Sequence, residues 1–182
     1  MGRTIEPLPL DETFPREYEI EWLRDLPNSD KVKLHGEDPG PILRVIPEGG
    51  DAFVVIVPGL AGTMTLSTMP NPREFAVFNR REMPVIINID RPGDLAEIAH
   101  FRGHGLRNVF RLREAGVVVM NSCCDLIGWG EHGILWEHRS DLFCCDEPIV
   151  DVVGSQVMVD GETHQNPGRR RILVDARTGQ VD

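Results

Sequence analysis

The chain has 182 residues, 41% of them hydrophobic and 26% charged, with 29 acidic against 19 basic side chains and a formal net charge of −10. A chain of this size buries about 70% of its unfolded surface, so it can build a core without disulfides, and one β-rich domain over residues 1–182 is expected. The charge argues against a generic binder of phosphate backbones, which needs a cationic surface, and fits either a solubility surface or a protein that docks on a basic partner.

The start of the chain, Met1-Gly2-Arg3-Thr4-Ile5-Glu6-Pro7, lacks the apolar stretch of an export signal. No run approaches the ~20 apolar residues of a membrane span. A cytoplasmic address is expected, and with it four reduced cysteines. The 18 glycines and 14 prolines suit a loop-rich β architecture better than a helical bundle.

Residues 1–40 alternate prolines, charges and isolated apolar residues, and form the segment expected to be most loosely ordered. Within it, Tyr18, Ile20 and Trp22 alternate against Glu17, Glu19 and Glu21. That alternation predicts a strand and outweighs the helical spacing of Trp22, Leu23 and Leu26. Two strands, Ile42 to Ile46 and Ala52 to Val57, flank Pro47-Glu-Gly-Gly-Asp51, a hairpin loop by composition. Glu74 to Phe78 and Val85 to Ile89 flank Asn79 to Pro84 in the same way, and the piece from Gly59 to Thr68 reads as a strand with small residues. Asp94-Leu-Ala-Glu97 has the form of a capping box, which predicts one helical turn; an extended strand from Leu95 to Phe101 is the alternative.

From Gly116 to Asp182 the sequence reads as a chain of β-hairpins. Arg113-Glu-Ala-Gly116, His132-Gly133, Val153-Gly154-Ser155-Gln156 and Asp175-Ala-Arg-Thr-Gly179 are turn signals between runs rich in Val, Ile, Leu or Trp. With no helix-length periodic segment between them, they favour an antiparallel meander. The fold class expected is mainly β: an antiparallel meander forming a sandwich or a short propeller-like pair of sheets, with at most one or two short helices.

The runs Gly116-Val-Val-Val-Met120, Asp125-Leu-Ile-Gly-Trp129, Gly133-Ile-Leu-Trp-Glu137, Pro148-Ile-Val150 and Val174-Asp-Ala-Arg-Thr-Gly-Gln-Val181 carry a resemblance over the last third of the chain. They resemble the strands of quinoprotein-like β-propeller blades, and they are similar to small bacterial β-rich proteins of no assigned function. The resemblance implies strand type only. A complete propeller needs about four or more four-stranded blades, more than this chain supplies, and no quinone or other cofactor is carried over.

The candidate chemistry is sparse. Cys123-Cys124 and Cys144-Cys145 are adjacent pairs, and neighbouring side chains of a strand face opposite ways, so each pair would give one ligand to a shared metal. One cysteine of each pair with His132 and His138 would complete a tetrahedral set; packing as small core residues is the commoner fate, and no metal is assigned. His100 and His104 stand four apart without the glutamate of a zinc-protease motif. Asp141, Asp146, Glu147 and Asp151 read as solvated loop carboxylates, and Arg169-Arg170-Arg171 as partners for carboxylates across a hairpin. Along Ile134 to His138, simple alternation puts Ile134, Trp136 and His138 on one face and Leu135 and Glu137 on the other.

Trp129, His132, Trp136 and His138 thus form the candidate binding set, with at least one tryptophan expected in the core. The function expected is a non-catalytic protein-binding or scaffolding module, of a toxin-neutralising or complex-subunit kind, acting on another protein. A small metal-dependent hydrolase using His and Asp or Cys is the competing expectation.

Overall fold

The computed structural model describes residues 9–27, 31–34, 41–57, 64–79, 84–97, 105–122, 125–139, 149–163 and 166–182. These residues form sixteen strands in four small sheets and no α-helix, so the chain is mainly β, as its turn residues and alternating runs predict. It divides into two compact units, Met1–Asn79 with Pro84–Glu97, and Arg80–Met83 with Ile98–Asp182.

The first unit holds β1 (Leu10–Asp11), β2 (Tyr18–Leu23), β3 (Lys31–Leu34), β4 (Ile42–Pro47), β5 (Phe53–Ile56), β6 (Met64–Thr68), β7 (Glu74–Asn79), β8 (Val85–Asn88) and β9 (Leu95–Glu97). One sheet has the order β1-β6-β7-β8-β9 and the other β2-β4-β5-β3. Two contacts, β1 with β6 and β3 with β5, are parallel, and the rest are antiparallel. Tyr18, Leu43, Val45, Phe53 and Val55 of one sheet meet Met64, Leu66, Phe75, Val77 and Ile87 of the other in a single apolar core. Phe53-Val-Val-Ile56 is buried at every position, which is why it reads as a continuous apolar run and not as an alternation.

The strand expected from the alternation of Tyr18, Ile20 and Trp22 forms as β2. All six residues of β2 pair with β4, from Tyr18 opposite Pro47 to Leu23 opposite Ile42, because Tyr18 is seated in the core. One expectation is corrected here: the helical turn at Asp94 is absent, and the alternative, a strand beginning at Leu95, forms instead, with Leu95, Ala96 and Glu97 paired to Ile87, Ile86 and Val85. Pairing with an existing strand edge outweighs an isolated capping box, since one helical turn is a costly nucleus.

The second unit holds β10 (Asn108–Leu112), a 3-10 turn over Arg113–Ala115, β11 (Val117–Asn121), β12 (Asp125–Gly130), β13 (Gly133–Arg139), β14 (Ile149–Val153), β15 (Gln156–Thr163) and β16 (Asn166–Asp175). The sheets are β10-β11-β12-β13 and β14-β15-β16, antiparallel throughout. Gly116, Gly133, Gly154 and Gly179, the glycines of the four expected turns, all have positive φ. Leu112, Val117, Val119, Leu126 and Trp136 from the first sheet pack with Val157, Val159 and Val174 from the second and with Ala176. The chain end closes one edge: Asp175 N–H donates to the Gln180 carbonyl at 2.8 Å, and Asp182 N–H to the Leu173 carbonyl at 2.9 Å.

Candidate binding surface on the β12–β13 hairpin

β12 and β13 are joined by the two-residue turn Glu131-His132, both exposed, followed by Gly133 at φ 104°. From Gly130↔Gly133 and Trp129↔Ile134 the ladder steps to Gly128↔Trp136, so Leu135 is an inserted residue and the strand carries a β-bulge. The bulge corrects the alternation expected for Ile134 to His138. Leu135 and Trp136 come to lie over the same face of β12, on Gly130 and Gly128 respectively. A Cβ on Gly130 would sit 2.7 Å from Leu135 Cδ1, and one on Gly128 only 2.3 Å from Trp136 Cε2. The exposed Leu135 side chain can swing aside, whereas the buried indole cannot, so Gly128 is a fixed seat for Trp136 and Gly130 a looser one for Leu135.

The Trp136 indole is held on its other side as well, because a Cβ on Gly179 would lie 2.6 Å from Trp136 Cγ. Its Nε1–H donates to the Ala176 carbonyl at 2.8 Å. His138, half-buried, packs at 5.6 Å between ring centroids from Trp136, and its Nε2–H donates to the Gly179 carbonyl at 2.5 Å. Two side chains of β13 thereby fasten the hairpin to the Ala176–Gly179 turn. That turn is itself braced by Asp175, whose Oδ1 accepts from the N–H of Arg177 and from the N–H and hydroxyl of Thr178. These bonds, those of Thr178 foremost, hold the Asp175 carboxyl below the usual carboxylate range.

The four residues expected to form a binding face therefore do different things. Trp136 and His138 share a face and are spent on fastening. Trp129, consecutive with Gly128 on β12, points to the opposite face and is 6% exposed, while Trp136 is 8% exposed. Only His132 is fully at the surface. What the hairpin does expose is Ile134, 44% exposed, and Leu135, 48% exposed, two large apolar side chains next to each other at the bulge. Simple alternation cannot reveal the place of Leu135; the hint in the sequence is Gly128-Trp-Gly130, whose two gaps take Trp136 and Leu135 from the neighbouring strand.

At the far end of the hairpin, where β11 and β12 meet, Ser122 and Asp125 are buried and bonded to each other. Ser122 N–H donates to the Asp125 carbonyl at 2.9 Å, and the Ser122 hydroxyl donates to Asp125 Oδ2 at 3.0 Å while accepting from Asp125 N–H at 3.0 Å. Cys123, Cys124, Cys144, Cys145, His100, His104, Asp141, Asp146 and Glu147 lie outside the described residues. Among the described residues no group of three or more His, Cys, Asp or Glu is placed to hold a metal ion. Arg171 meets the carboxylate of Asp160 across β15 and β16 at 3.1 Å, the cross-hairpin pairing its position predicts. Among the described residues no helix is long and apolar enough to cross a membrane.

No protein family and no curated protein matches the chain. Among solved structures it is similar to the β-propeller domain of Myceliophteria thermophila Cps50 (Swd1), at 13% identity and a TM-score of 0.40, over 75% of this chain and 46% of that one. It is also similar to an oligogalacturonate lyase solved in complex with manganese, at 14% identity and a TM-score of 0.37, over 91% of this chain and 48% of that one. The chain thus spans about half the length of each, and at this distance nothing of their chemistry passes to it.

Proposed function

We propose that the protein is a non-catalytic binding module that engages another protein through the β12–β13 hairpin. The observation that carries this reading is the pair Ile134 and Leu135, 44% and 48% exposed at the bulge of a strand that Trp136 and His138 fasten in place. Large apolar side chains on a rigid support lose little conformational freedom on binding, which is what makes a protruding hairpin an efficient anchor. His132 at the tip and the exposed Glu131, Glu137 and Arg139 supply a polar rim. A net charge of −10 favours a basic partner, and a toxin-neutralising or complex-subunit role suits such a surface.

The test compares the wild-type chain with Ile134→Ser/Leu135→Ser as bait in extracts of its own host, with retained proteins quantified by mass spectrometry. At least one protein should be held by the wild type in near-stoichiometric amount and be lost about tenfold or more from the variant, a loss of about 1.4 kcal/mol. An unchanged set of retained proteins would remove the hairpin as the binding surface.

A further inference from the structure

The two edges of the β14-β15-β16 sheet are treated differently. The β16 edge is covered by residues 180–182 through the bonds from Asp175 and to Leu173. Among the described residues no strand pairs with the other edge, β14. Register tells which backbone groups of β14 face outward. Ala176 N–H donates to the Ser155 carbonyl, so Ser155, Val157 and Val159 present their backbone groups to β16, and Gln156, Met158 and Asp160 present theirs to β14. Their partners Val153, Asp151 and Ile149 point inward. Val150 and Val152 therefore turn their N–H and carbonyl groups away from β15, to the edge that no described strand pairs with.

One of these outward donors is already occupied. Val152 N–H donates to Oδ1 of Asp151 at 2.8 Å, a carboxylate of the same strand bent over the edge. Ile149-Val-Asp-Val-Val153 otherwise has the character of a strand that invites addition: four β-branched residues, one charge and no proline. It is also self-complementary. In an antiparallel pairing of two copies centred on Asp151, Val150 of one copy meets Val152 of the other. Both pairs then exchange N–H and carbonyl bonds, and Asp151 stands directly opposite its own copy. Such a pairing needs the Val152 N–H that Asp151 holds, and it places like charges face to face.

We propose that Asp151 is a guard on the β14 edge that keeps two copies of this chain from joining through it. The side chain does so twice, by covering the Val152 N–H and by repelling its counterpart. Edge strands of native sheets are commonly protected by charges and bulges. The exposed strand β13 uses a bulge with Glu137 and Arg139, and β14 uses a single carboxylate. This proposal is independent of the binding role of the β12–β13 hairpin.

The experiment is sedimentation velocity of the full chain over a concentration series. Wild type, Asp151→Thr and Asp151→Thr/Val152→Pro are compared, each first shown by circular dichroism to keep its β spectrum and melting transition. Asp151 is exposed, so Thr leaves the core untouched. Asp151→Thr should self-associate with a dissociation constant at least about tenfold lower than wild type. Adding Val152→Pro removes the outward N–H at a position where an edge strand accepts proline, and should return the wild-type behaviour. Unchanged association of Asp151→Thr would overturn the proposal, as would increased association that survives Val152→Pro.

Discussion

Each unit of the molecule ties two sheet segments distant in sequence with one large aromatic side chain, and the two do it by different means. In the first unit Tyr18 of β2 reaches across to β7, its hydroxyl donating to the Glu74 carbonyl at 2.9 Å and its ring lying 5.6 Å from that of Phe75. In the second, Trp136 of β13 reaches the C-terminal turn, its N–H donating to Ala176 and its ring wedged between Gly128 and Gly179. Both solve the same problem: an aromatic body fills the core while its polar tip satisfies a carbonyl far along the chain. Tyr18, however, packs among side chains that can shift, whereas Trp136 sits in a slot cut out of backbone. The difference teaches where tolerance to change ends, since side chains relax and backbone does not.

Trp136→Ala should have the largest effect. It empties the slot and orphans the Ala176 carbonyl, and the expected loss is about 3–5 kcal/mol, read from urea unfolding. Gly128→Ala comes next, because its Cβ would lie 2.3 Å from Trp136 Cε2 and the backbone on the far side blocks retreat. About 3 kcal/mol is expected, at the upper end of overpacking costs. The comparison is sharpened by the double variant. With Trp136 already replaced by Ala, Gly128→Ala should cost almost nothing, giving a coupling of about 2–3 kcal/mol between the two sites. Additive losses would mean that Gly128 is needed for its backbone and not as a seat for the indole.

Tyr18→Phe is milder, about 1 kcal/mol near neutral pH for the lost bond to Glu74. Its pH dependence is the more telling readout. Burial pushes the Tyr18 phenol above its ordinary value of about 10, only partly countered by Arg16. A group raised in the folded state contributes stability that is complete below the unfolded pKa and is lost as pH rises from there toward the folded value. Wild type should therefore lose stability above about pH 10 more steeply than Tyr18→Phe, and the two unfolding curves should converge. Parallel loss across that range would show that the phenol is not the buried titrating group.

What was legible in the sequence follows from the same distinction. The turns at Gly116, Gly133, Gly154 and Gly179 could be read because a positive φ leaves a chemical mark, glycine, flanked by strand-forming residues. The strand β2 could be read because Tyr18, Ile20 and Trp22 alternate. The bulge at Leu135 could not, since alternation assumes a regular strand and the insertion shows only against the partner's glycines. Asp94-Leu-Ala-Glu97 reads locally as a cap, because nothing in that segment shows the β8 edge that pairs with it. The tryptophan-rich hairpin is visible in the sequence, but periodicity assigns a face and does not say whether that face is covered. Trp129 and Trp136 are both covered, on opposite faces, and the exposed pair is Ile134 with Leu135.

The smallest effect separates the units by the kind of partner each gives an exposed carboxylate. Asp90 in the first unit is gripped by the Arg73 guanidinium, at 2.7 Å from Nε and 2.5 Å from Nη2, and Arg73 also binds Glu17 at 2.8 Å. That hydrogen-bonded pairing with Arg73 lowers the pKa of Asp90. Asp175 in the second unit is lowered instead by the Thr178 backbone N–H and hydroxyl and the Arg177 N–H, uncharged dipoles fixed by the turn. Both are depressed, so each contributes stability that is present above the ordinary carboxylate value near 3.8 and is lost as pH falls through the folded one. Salt divides them: an exposed ion pair is screened as ionic strength rises, while a turn's own N–H groups remain in place. Asp90→Asn should therefore flatten the acid limb of the stability curve at low salt and change little at 1 M, whereas Asp175→Asn should flatten it equally at both. Equal salt sensitivity of the two variants would mean that Asp175 is held by the Arg177 charge and not by the turn, and the contrast between the units would not extend to their surfaces.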